Sequence, residues 1–325
     1  MFKVIGTGHY LPEKVLTNAD LEKMVDTTDK WIIERTGISE RRIAADDELN
    51  SDMGAKAAIE AIKAAGLEPK DIELLIVGTS TADYTLPAMA PIIQHKIGCD
   101  MIPAFDINSV CSSFAYCFIA AAGFLNSGLY RNCLIVGSDV YSRILNWEDR
   151  TTCCIFGDGA GAAVLKWDDK ARGVLSHIYG ADGGDHDLIK IPVGGSKNPT
   201  HRNQIYNKED YFFQMAGTDV YEFTITTIPQ VALDLIEKAS LKPDDIDIVV
   251  LHQANRRIIE SVSKYTGIPL SKFVINIERV GNTSSASIPI ALDEAVRSGR
   301  IKDKDKVMMI GFGGGLSWGG VVFEY

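Results

Sequence analysis

Two stretches of the chain repeat one order of apolar and polar positions. Residues 58–81 (AIEAIKAAGLEPKDIELLIVGTST) and 232–255 (ALDLIEKASLKPDDIDIVVLHQAN) each read as an amphipathic helix, a Leu-x-Pro-x-Asp turn and an apolar strand. Asp71 and Asp245 of the two turns are 174 residues apart, and so are Val136 and Ile310 in the later apolar runs Leu134–Gly137 and Met308–Gly311. A constant spacing over two separate segments predicts two similar α/β halves, 1–170 and 171–325, meeting near Lys170–Gly173. The runs Leu74–Val77, Ile248–Leu251 and Val307–Ile310 are apolar throughout, as in sheets covered by helices on both faces. Ala104–Ile107 and Phe273–Ile277 read as a further matching pair of strands. Residues 182–212, rich in Gly, Asp, Asn, Lys and His, interrupt this order and are expected to form a solvated surface loop; the sharper alternative is a flap over a site.

Composition narrows the function classes. The 325 residues carry a formal charge of −10 with 46% hydrophobic residues, a globular mix. No run approaches the roughly 18 uninterrupted apolar residues of a membrane span. The opening Met1–Gly6 lacks the charged-then-apolar order of a signal peptide. The acidic balance argues against nucleic acid, and any acidic partner would need a local basic patch. Cys99, Cys111, Cys117, Cys133, Cys153 and Cys154 form no C-x-x-C pair and have no histidines at zinc spacing; reduced thiols in a cytoplasmic protein are expected, and no metal. The glycine clusters at Gly6–Gly8, Gly157–Gly161 and Gly194–Gly195 fit neither a dinucleotide fingerprint nor a P-loop, and tight turns account for them.

Cys111 follows the strand Ala104–Ile107 and precedes a helix that is apolar nearly all round (Phe114, Cys117, Phe118, Ala121, Phe124, Leu125), so that helix should be buried. A cysteine at a helix start meets the positive end of the dipole, which favours thiolate. His252 ends a strand in the opposite half, where sites of α/β folds gather. Asn282 precedes another helix, nearly at the repeat position of Cys111. Taken singly, each reads as a buried thiol, a core histidine and a helix cap; three converging residues favour nucleophilic chemistry. Gly313-Gly314-Gly315 would let backbone approach a ligand closely and turn N–H groups towards an oxyanion. Beyond His252, Arg256, Arg257 and Lys264 lie on an apparent helix, with 257 and 264 two turns apart on one face.

In order along the chain, Gly6-Thr7-Gly8-x-Tyr10-Leu11-Pro12, Trp31-Ile32-x-x-Arg35-Thr36-Gly37-Ile38, Cys111, FGDGAGAAVL (156–165), HQANRR (252–257), GNTSSAS (281–287) and FGGGLSWG (312–319) resemble the β-ketoacyl-acyl-carrier-protein synthases III, thiolase-fold condensing enzymes, over essentially the whole length. The resemblance implies a five-layer α-β-α-β-α sandwich and a decarboxylative condensation of acyl-coenzyme A with malonyl-acyl-carrier protein. Cys111, His252 and Asn282 would be its catalytic triad, with the backbone N–H groups of Cys111 and Gly314 at the acyl oxyanion. It implies coenzyme A contacts at Trp31, Arg35, Arg150, Gly217, Tyr221, Ala254, Asn255 and Phe312, and carrier-protein docking at Arg256, Arg257 and Lys264. It further implies a homodimer in which Leu86 lines the partner's acyl pocket, and no cofactor beyond the substrates. The chain departs from the family at Ser109-Val110-Cys111-Ser112-Ser113 and at Thr151, changes expected to crowd the nucleophile and its tunnel. The alternatives are a related acyltransferase with a specialised starter and a non-catalytic thiolase-fold subunit.

Overall fold

The computed structural model describes residues 1–201 and 205–325, so residues 202–204 of the expected 182–212 loop lie outside it. One sheet holds β1 (Phe2–Tyr10), β2 (Leu75–Gly78), β3 (Ala104–Ile107), β4 (Asn132–Asp139) and β5 (Gly159–Trp167), in the order β1-β5-β4-β2-β3. The other holds β6 (Val174–Ala181), β7 (Ile248–Leu251), β8 (Lys306–Gly313) and β9 (Ser317–Glu324), in the order β7-β8-β9-β6. The repeat survives in the pairing itself. Val77 stands opposite Val136 in the parallel ladder of the first sheet, and Leu251 opposite Ile310 in that of the second. Both Leu-x-Pro-x-Asp segments are single 3₁₀ turns, closed by Glu68 N–H to Asp71 Oδ2 (2.8 Å) and by Lys242 N–H to Asp245 Oδ2 (2.7 Å).

The principal helices are α1 (Asp29–Thr36), α2 (Asn50–Ala64), α3 (Met89–Lys96), α4 (Ser113–Asn126), α5 (Gly217–Lys238), α6 (Arg256–Thr266) and α7 (Ser287–Arg297). Helices α4 and α7 are the middle layer. Phe114 and Phe118 of α4, with Ile288 and Leu292 of α7, share one core with Ile76 and Ile135 of the first sheet and Val250 and Met309 of the second. Helix α2 covers the outer face of the first sheet through Met53, Ala57 and Ala61; α5 and α6 cover that of the second through Ile228, Leu235 and Ile259. This is the five-layer sandwich. Each fully buried aliphatic or aromatic side chain in it contributes roughly 1.5–3 kcal/mol, which explains why α4 carries no polar face. Among the described residues no helix is long and apolar enough to cross a membrane.

Two expectations are corrected. Gly6 and Gly8 lie within β1, and Gly159 and Gly161 within β5, rather than in turns. A Cβ on Gly6 or Gly8 would fall 2.4 Å from backbone atoms of α2 or its C-terminal cap, and one on Gly161 2.7 Å from backbone of α7, so these glycines admit helices against the strands. Phe273–Ile277 is not a strand beyond a single bridge between Phe273 and Val249. The Gln253 side chain takes the ladder's place there, donating to Val274 O (3.1 Å) and accepting from Asn276 N–H (3.2 Å), after which the chain enters the helical turn Ile277–Val280.

Where the halves meet, two glycines matter most. A Cβ on Gly137 of β4 would lie 2.4 Å from Ser285 O, and a Cβ on Gly311 of β8 would lie 3.0 Å from Ser112 Cα. Each sheet thus seats, on a glycine, the turn that opens the other half's central helix.

Candidate active site

Those two seated turns have the same geometry. In the first, Val110 N–H donates to Asn108 Oδ1 (3.2 Å) and Val110 takes φ +48°, after which Cys111 sits in the 3₁₀ turn Val110–Ser112 ahead of α4. In the second, Ser284 N–H donates to Asn282 Oδ1 (2.8 Å) and Ser284 takes φ +51°, ahead of α7. Positive φ strains a side chain with a branched Cβ, and such strain is held where neighbours over-determine it. The repeat therefore pairs Asn282 with Asn108, and Cys111 with Ser285, rather than Asn282 with Cys111. One turn presents its fourth residue to the site; its mate presents its first.

Cys111, His252 and Asn282 line one cavity of about 160 Å³, together with Val110, Phe312 and Gly313. Asn282 is clamped by Asn282 N–H to Ile155 O and Gly157 N–H to Asn282 O, both 2.9 Å. With its side-chain oxygen taken by Ser284, its amide NH₂ is the group left to donate. His252 is buried, its Nδ1 is 2.5 Å from Ser287 Oγ, and its ring stands edge-on to Phe312 at 5.1 Å between centroids. Nε2 is the nitrogen that remains for a ligand. Burial pushes the imidazole down to about 3, so it is neutral at physiological pH and acts as a hydrogen-bond donor or acceptor, not as a cation.

Burial also pushes the Cys111 thiol up, to about 12, with the charge of Asp139 adding to the effect; hydroxyls of Ser284 and Tyr141 oppose it. The expected thiolate at the helix start is not the resting state: desolvation outweighs the dipole. Gly313 is required beside the sulfur, because a Cβ there would stand 2.8 Å from Cys111 Cβ. Gly314 follows it, against Val110 and Ile189, but outside the cavity lining. The other five cysteines are free and buried, and none of them lines the cavity.

The serines around Cys111 do not crowd the cavity. Ser109, Ser112 and Ser317 form a triangle of hydroxyls (2.8, 2.8 and 3.0 Å), and Ser113 Oγ donates to Val110 O (2.7 Å), knitting the turn from behind. Of the departures from the family pattern, Val110 and Thr151 reach the lining.

Gly217, Tyr221, Ala254, Asn255 and Phe312 also line the cavity. Trp31, Arg35 and Arg150 lie outside it but together: the two guanidiniums stand 5.8 and 5.3 Å from the indole centroid. Asn255 Nδ2 donates to Arg35 O (2.8 Å), tying this group to the start of α6. Arg257 is exposed over the Tyr221 ring at 5.2 Å, and Lys264 is exposed on the same helix. Arg256 is engaged by Glu260 (3.0 Å). Leu86 is 84% exposed and stands outside the cavity lining. The 182–212 segment follows the sharper reading at its base. Ile189 lines the cavity, and the pair Ile189–Lys190 bonds to Gln214–Met215, which brings Phe213 and Met215 to the wall. Sequence reasoning missed Tyr141, Phe156 and Phe213, an aromatic cluster, and Ser284 and Ser287; only the position of Phe156 inside the FGDGAGAAVL stretch and of the two serines inside GNTSSAS signalled any of them.

Residues 105–183 match the family described as 3-oxoacyl-[acyl-carrier-protein (ACP)] synthase III, and residues 236–325 match its C-terminal counterpart. The β-ketoacyl-[acyl-carrier-protein] synthase III of Fusobacterium nucleatum is 45% identical over 320 residues, covering 98% of this chain and 97% of that protein. The chain belongs to the 3-oxoacyl-acyl-carrier-protein synthase III family. The crystal structure of the Aquifex aeolicus synthase III superposes with a TM-score of 0.92 at 39% identity, covering 100% of both chains. The priming β-ketosynthase of the R1128 polyketide pathway superposes with a TM-score of 0.93 at 32% identity, over 100% of this chain and 96% of that one.

In this family member the buried imidazole couples stability to pH. Between histidine's ordinary 6.5 and about 3, the unfolded chain binds a proton that folded His252 refuses. That contribution to stability is complete above the window and drops as pH falls through it. The ring signals of His252 in an NMR titration are expected to keep neutral-imidazole shifts at about pH 5; imidazolium shifts there would contradict the burial argument.

Proposed function

We propose that this chain primes fatty acid synthesis as a β-ketoacyl-acyl-carrier-protein synthase III, with Cys111, His252 and Asn282 as the catalytic residues. The observation that carries this reading is their convergence on one cavity from both halves. Cys111 attacks an acyl-coenzyme A thioester; the acyl group passes to sulfur and coenzyme A leaves as its thiol. Malonyl-carrier protein then loses carbon dioxide, and its carbanion attacks the acyl-enzyme, releasing Cys111 and a 3-oxoacyl product. The covalent intermediate splits one hard step into two. Neutral His252 and the Asn282 amide donate to the malonyl thioester oxygen as enolate charge develops, while Cys111 and Gly314 N–H groups serve the acyl oxyanion; losing one such donor typically costs about 10²–10³ in rate. Trp31, flanked by Arg35 and Arg150, offers an indole face and two cations suited to a nucleotide with phosphates. The chemistry calls on no metal or redox cofactor. Cys111→Ala is expected to abolish acylation by acetyl-coenzyme A in intact-protein mass spectrometry; acyl mass on the variant would sink the mechanism, and none on the parent would leave a non-catalytic subunit.

Carrier-protein docking is assigned to Arg257 and Lys264, which are exposed on α6, the helix that follows the cavity-lining Asn255, in a chain whose net charge gives no long-range attraction for an acidic partner. Arg257→Glu is expected to weaken use of malonyl-carrier protein, more so at low salt, while self-acylation by acetyl-coenzyme A changes far less. Equal losses in both half-reactions would place Arg257 in coenzyme binding or the fold instead.

The homodimer rests on the open edge of the first sheet. Strand β3 is its last strand, and Tyr84 (60% exposed), Leu86 and Met101 (101%) are large apolar side chains left in solvent. Leu86 is assigned to the partner's acyl pocket. Sedimentation at twice the 35.5 kDa chain mass is expected; a fully active monomer at micromolar concentration would remove this assignment. Six free thiols accord with a cytoplasmic location.

A further inference from the structure

The sulfur of Cys111 has a problem that its helix does not solve. It must carry negative charge while attacking a thioester, yet it lies buried, and burial disfavours that charge. The groups that face it are few. Asp139, from the end of β4, is buried and its charge works against ionisation; the Tyr141 hydroxyl follows from the same segment. His252 stands in the same cavity from the other sheet, but its Nδ1 is committed to Ser287. From the second turn, Ser284 Oγ donates to Cys111 Sγ at 3.4 Å.

Ser284 sits between Cys111 and the Tyr141 hydroxyl, and its own hydroxyl is shared with both. Its backbone N–H holds Asn282 Oδ1, so one residue orients the amide of one catalytic group and touches the reacting atom of another. Its φ of +51° is a conformation that an L side chain rarely takes. The equivalent position in the first half is Val110, which has the same twist and no hydroxyl. The same strained turn is thus built twice, and only the copy that faces the sulfur carries a donor.

We infer that Ser284 is a further catalytic residue, whose hydroxyl, beside that of Tyr141, donates the hydrogen bond that carries Cys111 through its thiolate. This rests on Cys111 being the acylated nucleophile. A charge-assisted bond of this kind favours the anion over the thiol and shortens as charge develops. The thiol proton passes to solvent as the thiolate forms, and the departing coenzyme A thiolate takes one up, so the step balances.

The test reads the pH dependence of Cys111 alkylation by iodoacetamide, followed by peptide mass spectrometry from about pH 6 to about pH 10. Ser284→Ala is expected to slow alkylation about tenfold at neutral pH and to move the profile about one unit alkaline, with the rates converging at high pH. Ser284→Gly, which adopts positive φ freely, is expected to give the same shift if the alanine variant folds poorly. Ser284→Thr keeps the hydroxyl in a turn where Val110 shows that a branched Cβ is held, and is expected to restore the parent profile. An unchanged profile in a folded Ser284→Ala or Ser284→Gly protein overturns the inference. A parent chain alkylated at Cys111 but never acylated by acetyl-coenzyme A overturns the proposed function instead, while the alkylation shift still decides for or against the Ser284 hydroxyl.

Discussion

The structure depends on how closely its two halves approach. Gly137 of the first sheet lies under Ser285 of the second half, and Gly311 of the second sheet lies under Ser112 of the first, each at a distance that no Cβ would permit without a shift. Those contacts set the height of both central helices between the sheets. They also decide what the turns ahead of those helices can touch. The site is therefore a property of the seam: Cys111 comes from one half, His252 and Asn282 from the other, and none faces a ligand until the sheets are docked.

The same seam explains the chemistry's electrostatics. A dry, close-packed interface raises the energy of any isolated charge, and it acts on the thiol and the imidazole in opposite directions. Cys111 is held as a thiol and His252 as a neutral ring. An ion pair between them is not the ground state. What the interface supplies is a set of fixed polar groups: the Asn282 amide and the His252 ring at the cavity wall, and the Ser284 hydroxyl on Cys111, where their effect is not diluted by water. The strained turns at Val110 and Ser284 are the cost of aiming them, held by the core on both sides.

Duplication allowed this division of labour. With both turns built alike, the first keeps Asn108 as an internal brace and presents Cys111, while the second presents Asn282 itself and leaves Ser285 to bind Gly78 O and Asp139. Gly78 at the end of β2 has His252 as its repeat mate. A small residue in one half makes room for Ser113 of α4, and a large one in the other supplies a ring to the cavity.

Much of this was legible in the sequence. The repeat of helix, Pro-Asp turn and strand is local periodicity, and the ladders preserve its spacing; the apolar run after Cys111 reads as a buried helix. Cys111, His252 and Asn282 each have an ordinary reading alone, and it is their joint placement at strand ends and helix starts that points to a site. Tertiary structure decided the rest. Gly6 and Gly8 looked like turn residues until α2 was packed against β1, and Phe273–Ile277 looked like a strand until the Gln253 side chain took its ladder partners. The ionisation of Cys111 followed burial rather than its place at a helix start. The contacts of Ser284, from the other half, and of Tyr141 with Cys111 exist only in the folded chain, although the GNTSSAS stretch marks Ser284 by its place in the sequence. Periodicity and residue type are written along the chain, whereas desolvation and cross-half contact exist only after two sheets distant in sequence have closed on each other.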